Sequence, residues 1–177
     1  MISIGRLSGV GPPIKIRRVV RLHEYYRDPG APHPHDVLPA AFAAVRNAAG
    51  EVLLVRRIDD GNWELPGGRV EVGETAGTAV VREVAEESGI LIALTALSGV
   101  YSDPTHVLVD PDGSIHQQLA LCFHAVPVDG GAPRPDGTET DGAAWYDPAV
   151  TAGLTMHPAM RLRLQDAVTA PRRTHFE

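Results

Sequence analysis

The sequence predicts an α/β fold, and three observations carry that prediction. Apolar stretches of strand length recur at residues 37–46, 51–58, 91–101 and 115–126. Two other stretches carry helix signals, one from Thr75 to Gly89 and one opened by His157-Pro158. Finally, 177 residues, 44% of them apolar, suffice for one compact core. The expected organisation is an N-terminal extension over 1–35, one domain over 36–170 and a tail over 171–177.

In the extension, IKIRRVVRLHEYY suits a strand or a short helix, and the prolines of RDPGAPHPHD then force a loop. His33 and His35 fall in that loop and read as loop residues rather than ligands. Tyr25 and Tyr26 could stack on a base, but covering the core is the expectation. Val37 to Arg46 is small and apolar enough for a strand covered on both faces. A turn at Ala49-Gly50 leads into EVLLVRRI, expected to pair back as a hairpin. At its end, Arg56 and Arg57 solvate the strand terminus, or Arg57 reaches a diphosphate. Pro66, Gly67 and Gly68 then make a tight turn.

Leu91 to Tyr101 reads as a strand, and Pro111-Asp112-Gly113 joins VLVD to IHQQLALCFHAV as a hairpin. Period two places Gln118, Ala120, Cys122 and His124 on one face of the latter, Gln117, Leu119, Leu121 and Phe123 on the other. The second set is the more apolar, so His124 is expected to look outward or into a cleft. His106, His116 and His124 are the candidate pH-sensitive residues of this region, with no partner legible in sequence. A polar loop over 129–142 precedes the strand AAWYDP. In the last helix Met160, Leu164 and Val168 can pack on the sheet, and Pro171 ends it.

A net charge of −6 and a pI near 5.7 argue against a nucleic-acid polymer as partner. The lone cysteine, Cys122, allows no internal disulfide and sits in an apolar setting, as a buried thiol would. No stretch reaches the roughly 18 apolar residues of a membrane span, and the first residues lack a signal-peptide core. A cytoplasmic protein is expected; a homodimer is left open.

The chemistry is concentrated in residues 67–90, GGRVEVGETAGTAVVREVAEESGI. Thr75 can cap a helix that runs to Ser88 and leaves through Gly89. No capping box is expected, because Thr78 stands where an acid would complete it. Gly77, Val80, Val81, Val84 and Ser88 share a face suited to packing on a sheet. Glu83, Glu86 and Glu87, at i, i+3 and i+4, form a second, acidic face. Their mutual repulsion turns into binding when divalent cations arrive, and Mg²⁺ favours a few carboxylates, water and phosphate oxygens.

Gly68, then Glu74 after five residues, then Arg82-Glu83, Glu86-Glu87 and Gly89-Ile90 fill every defining position of a known pattern. The chain thus resembles the Nudix hydrolases, the MutT-related pyrophosphohydrolases. The likeness implies an α/β/α sandwich with a mixed β-sheet, and hydrolysis of a diphosphate linkage in a nucleoside diphosphate bonded to a group X. It implies Mg²⁺ or Mn²⁺ on Glu83, Glu86, Glu87 and the Gly67 carbonyl, with an ion pair between Glu74 and Arg82 steadying the loop. It makes Trp63 a packing residue, and it calls for a further acid from 129–142, Glu139 before Asp141, as ligand or general base. Glu86 and Glu87 are alternatives for that base. The small-molecule substrate stays open between a nucleotide sugar or ADP-ribose-like compound and an oxidised nucleoside triphosphate. A catalytically silent nucleotide sensor or scaffold is the rival reading.

Overall fold

The computed structural model describes residues 23–177; the reading of residues 1–22 lies outside the described residues. The first strands are β1 (His23–Tyr25), β2 (Asp36–Val45), β3 (Val52–Arg57), β4 (Trp63–Glu64) and β5 (Gly67–Arg69). Helix α1 (Ala76–Ser88) follows, then β6 (Ile92–Tyr101), β7 (Val107–Val109), β8 (Ile115–Pro127) and β9 (Thr140–Tyr146). A 3-10 turn at Pro148–Gly153 leads to α2 (Pro158–Thr169) and to β10 (His175–Phe176).

β2 is the axis of the large sheet. It runs parallel to β8 over ten residue pairs, Asp36↔His116 to Val45↔Ala125, and antiparallel to β5 on its other edge. The far edge of β8 is shared: β7 takes its first residues and β6 its last. β1 extends β7, and β10 lies parallel to β6. The sheet is therefore mixed, and parts of the expected extension and tail supply two of its strands.

Alternation along β2 divides the core. Ala40, Phe42 and Ala44 join Cys122, Met160 and Leu164 on the α2 side, and Ala41, Ala43 and Val45 join Val80, Val84 and Ile90 on the α1 side. The expected burial of β2 on both faces follows from this layering. α2 is capped by His157 and packs through Met160 and Leu164, with Val168 partly buried beside them.

Three expectations need correction. The β2–β3 hairpin reduces to one bridge, Arg46↔Val52, after which β3 enters a second sheet of order β4-β3-β9. β8 and β5 already occupy both edges of β2, so no edge remains for β3. On β8 it is the Gln118, Ala120, Cys122 and His124 face that is buried, because α2 covers it; Leu119, Leu121 and Phe123 are only half-buried. His124 thus points neither outward nor into the cleft, and its Nε2 is buried without a partner. Finally, α1 does have a capping box. The Thr75 hydroxyl accepts from the Thr78 amide, and the Thr78 hydroxyl accepts from the Thr75 amide at 2.9 Å, so a hydroxyl does the work expected of an acid.

No helix among the described residues is long and apolar enough to cross a membrane.

Candidate active site

A cavity of about 700 Å³ opens on the α2 face of the large sheet, walled by β4 and the turn after β3. It reaches α1 past β5, the edge strand, where two glycines allow close approach on either side. Gly67 sits at φ 150°, where a Cβ would come within 2.2 Å of the Ala41 carbonyl oxygen and 2.6 Å of the Phe42 Cα. A Cβ on Gly68 would meet the Glu83 carboxylate at 2.7 Å. The space a Gly68 side chain would take is where Glu83 now lies, whereas at Gly67 it is the β2 backbone that comes so close.

Of the acidic face of α1, Glu83 and Glu87 line the cavity and are 2% and 6% exposed. Glu86 does not line it; its side chain is 53% exposed and accepts from Arg82 Nη1 at 3.2 Å. One turn apart, Glu83 and Glu87 share a direction that Glu86 leaves by most of a right angle. Arg82 also donates to Glu83 at 2.7 Å and to Glu74 at 2.7 and 3.3 Å, tying the loop to the helix.

The Gly67 amide donates to Glu87 Oε2 at 2.9 Å. Burial, with the nearby charge of Glu64, pushes the Glu87 carboxyl well above its ordinary value despite that bond. Glu64 on β4 completes the acidic end. It is buried, and desolvation raises its pKa to about 7 although Arg57 Nη1, at 3.4 Å, acts against the rise. Glu64 escaped sequence reasoning because WELPGG reads as a packing and turn segment. The one available signal was an acid three residues ahead of the glycine pair.

Arg57 lines the cavity, but Asp59 takes its Nε and Nη2 at 2.8 and 2.6 Å and Glu64 its Nη1. Its fork therefore holds the wall together as the chain stands, and a diphosphate would have to compete for it. Trp63 packs edge-on against Tyr146 at 5.0 Å.

Glu139 and Asp141 part company. Glu139 lines the cavity, whereas Asp141 pairs with Arg56 at 2.7 Å and is not among the lining residues. The placement of Glu139 depends on Asp136, whose Oδ1 accepts from the amides of Thr138, Glu139 and Thr140 at 3.0, 3.0 and 2.9 Å. Despite partial burial, the bond from the Thr138 hydroxyl together with those amides holds the Asp136 carboxyl down at about 2. The polar loop is thus a bonded turn, and the signal was an Asp-Gly pair ahead of Thr138.

Farther along the floor lie Leu38, Leu108, Gln118, Met160, His157 and Glu24. His106 finds its partner here, Nε2 to Glu24 Oε1 at 2.6 Å, while His116 bonds Asp36. Tyr26 packs edge-on against His106 and His157. Cys122 is fully buried, which pushes its thiol up to about 12 and leaves it no part in the cavity.

The arrangement offers hard oxygen donors at one end and a mixed apolar and polar floor at the other. A NUDIX domain model matches residues 36–166. A Bacillus subtilis protein provisionally named an 8-oxo-dGTP diphosphatase is 39% identical over 126 residues, 71% of this chain and 76% of the relative. A MutT-like protein of Streptomyces ambofaciens is 38% identical over 119 residues, 67% of this chain and 69% of the relative. Among solved structures, the MutT protein of Methanosarcina mazei superposes with a TM-score of 0.62 at 23% identity, over 81% of this chain and all (100%) of the other. By fold, by motif and by these likenesses, the chain belongs to the Nudix hydrolase superfamily.

Proposed function

We propose that the protein hydrolyses the diphosphate linkage of a nucleoside diphosphate joined to a group X, with Mg²⁺ or Mn²⁺ at the acidic end of the cavity. One observation supports this above the others: Glu83 and Glu87 are buried side by side on the cavity wall, Glu83 in the space that Gly68 leaves. A buried carboxylate is costly unless something compensates its charge. Arg82 answers part of the charge of Glu83, but among the described residues the Glu87 carboxylate accepts only from the Gly67 amide.

The donor set fits a hard divalent ion, since Glu83, Glu87, Glu139 and the Gly67 carbonyl are all oxygen ligands. Among the described residues no finished cage of three acids or histidines exists, as suits an ion that keeps waters and takes substrate oxygens. Glu86 belongs to the same set by spacing and is held on the rim by Arg82. A divalent ion held there supplies charge neutralisation for the diphosphate and a more acidic water.

The chain's own groups do the rest. Arg82 fixes the direction of Glu83, and the two glycines let backbone and phosphate approach. Glu139 or Glu87, both on the cavity wall, would accept the proton of the attacking water. A cavity of about 700 Å³ is of the size that holds a nucleotide-sized molecule. Relatives bear names for two substrates, 8-oxo-dGTP for the Bacillus subtilis protein and ADP-ribose for a Methanocaldococcus jannaschii protein 44% identical over 68 residues, 37% of this chain and 38% of that one. Both contain a nucleoside diphosphate.

Phosphate release from a panel of nucleoside triphosphates, ADP-ribose and nucleotide sugars, with and without Mg²⁺ or Mn²⁺, tests the proposal. Turnover that needs the ion and disappears in Glu87→Gln is the expected result. A chain that binds nucleotides and turns none of them over would be a sensor built on this fold.

A further inference from the structure

We infer that Glu24 and Gln118 read the base of the bound nucleotide and select guanine. The inference rests on the cavity being a nucleotide site, and it moves part of the specificity outside the segment shared with the family, since Glu24 precedes residue 36.

The cavity floor is one face of the large sheet. Glu24 on β1 is paired with Leu108 on β7, Leu108 with His116 on β8, and Gln118 follows on the same face of β8. Two strand spacings, ~10 Å, separate the backbones that carry Glu24 and Gln118. A flat ring resting on Leu108 therefore has a carboxylate along one edge and a carboxamide along the other.

Each of the two groups is committed to one hydrogen-bonding role. Arg163 Nη2 donates to Gln118 Oε1 at 2.5 Å, and a guanidinium has only donors, so the amide oxygen is spoken for. What Gln118 offers the cavity is its NH₂ group. Arg163 is itself confined, 2% exposed with its guanidinium over the rings of Phe42 and Tyr101 at 4.9 and 5.5 Å. On the other side, His106 Nε2 and His157 Nδ1 approach the same Glu24 oxygen, Oε1, at 2.6 and 3.4 Å. Among the described residues these are its contacts, which leaves Oε2 to the cavity. Burial acts to raise the Glu24 carboxyl, but the bond from His106 and the charges of His157, His106 and Arg163 outweigh it and hold the group below its ordinary value. Glu24 is accordingly an acceptor only. Asp110, also on the wall, is engaged by Arg69 at 3.0 Å and does not compete.

Among the common bases guanine alone presents two adjacent donors, N1–H and the 2-amino group, beside a carbonyl oxygen. The two lone pairs of the remaining Glu24 oxygen, Oε2, accept both donors while an amide NH₂ donates to O6. Adenine has a ring acceptor where guanine has N1–H, and that lone pair would confront a carboxylate. Inosine keeps O6 and N1–H but lacks the 2-amino donor, so it isolates one bond.

Calorimetric titration of the whole chain with GMP, IMP and AMP, without metal, reads this directly. GMP should bind at least about tenfold tighter than IMP, the usual worth of a bond to a charged acceptor, and AMP should bind more weakly than IMP. In Glu24→Gln the GMP and IMP affinities should come within about threefold of each other; in Gln118→Leu both should weaken with their ratio kept. The ranking on the unaltered chain is decisive even if a variant fails to fold. AMP binding as tightly as GMP, a GMP preference that survives Glu24→Gln, or no binding of any of the three overturns the inference. The correct ranking in a chain that hydrolyses no nucleotide would instead remove the hydrolase reading and leave this one standing.

Discussion

The two ends of the cavity are built in opposite ways. At the acidic end Gly67, Gly68, Glu83 and Glu87 come from one stretch of some twenty residues, folded by a turn and a capped helix. At the far end Glu24, Leu108, Gln118 and Met160 come from four separate elements, brought together by pairing across the large sheet and by α2 packing beneath it. The acidic end therefore depends on local geometry and charge. The far end depends on long-range register, where a slip of one residue would turn Gln118 to the other face.

The largest effect we expect separates the ends by their kinetics. Glu87→Gln keeps an acceptor for the Gly67 amide, so the fold should survive while kcat falls about 10³-fold, some 4 kcal/mol of barrier. Glu86→Gln should cost about tenfold, because that side chain stands on the rim. Gln118→Leu should raise KM and leave kcat nearly unchanged. Steady-state kinetics on the best substrate reads all three. Glu86→Gln as damaging as Glu87→Gln would show that the rim glutamate enters the site during turnover.

The pH dependence of stability should differ in sign between the ends. A carboxyl with a raised folded pKa holds its proton more tightly in the folded chain. Its stabilisation is present below the unfolded value and lost as pH rises through the folded one. Glu64, moved from 4.5 to about 7, should thus make the metal-free protein less stable between pH 5 and 8, by at most on the order of 3 kcal/mol. Glu87 acts in the same direction. Glu24, held low, contributes above pH 4.5 and loses its contribution only as pH falls below that. In thermal melts without metal, Glu64→Gln should flatten the slope between pH 5 and 8, and Glu24→Gln should leave it. Mg²⁺ or Mn²⁺ should stabilise most at the alkaline end, where the acids are ionised.

The same contrast governs what could be read before the fold was known. α1, its Thr75 cap, its Gly89 exit and the acids on it were legible because helix signals and charge spacing act over a few residues. Lateral pairing was not. Nothing in EVLLVRRI says that β8 and β5 will already hold both edges of β2, and so the expected hairpin opened into two sheets. Gln118 was visible only as a polar residue on an alternating strand. Its partner Arg163 lies 45 residues away in a helix that was legible only through its apolar Met160, Leu164 and Val168. Glu64 hid inside a turn motif, and the ordering of Glu139 by Asp136 needed the turn itself.

Within residues 129–142 the contrast sharpens further. Asp136 fixes the loop so that Glu139 faces the cavity and Asp141 faces Arg56. Glu139→Gln should lower kcat about 30-fold, close to 2 kcal/mol of barrier, and Asp141→Asn should stay within about twofold. Asp136→Ala should reproduce most of the Glu139 defect, since it releases the turn without touching the cavity. The reverse order at 139 and 141 would make Asp141 the outer acid and would require the loop to flip.

The smallest effect tests whether the acidic end is as self-contained as its sequence suggests. The Thr75–Thr78 box caps the end of α1 remote from Glu87, more than two turns away. Thr78→Val removes the hydroxyl that accepts from the Thr75 amide and should cost about 1 kcal/mol of stability. Thr78→Glu supplies the acceptor found in other capping boxes and should restore it. Neither should alter kcat, because Glu83 and Glu87 are positioned by Gly68, Arg82 and the Gly67 amide rather than by the cap. A fall in kcat that tracks the lost stability would mean that the helix moves as one body, and that the direction of its acids is set from its first turn.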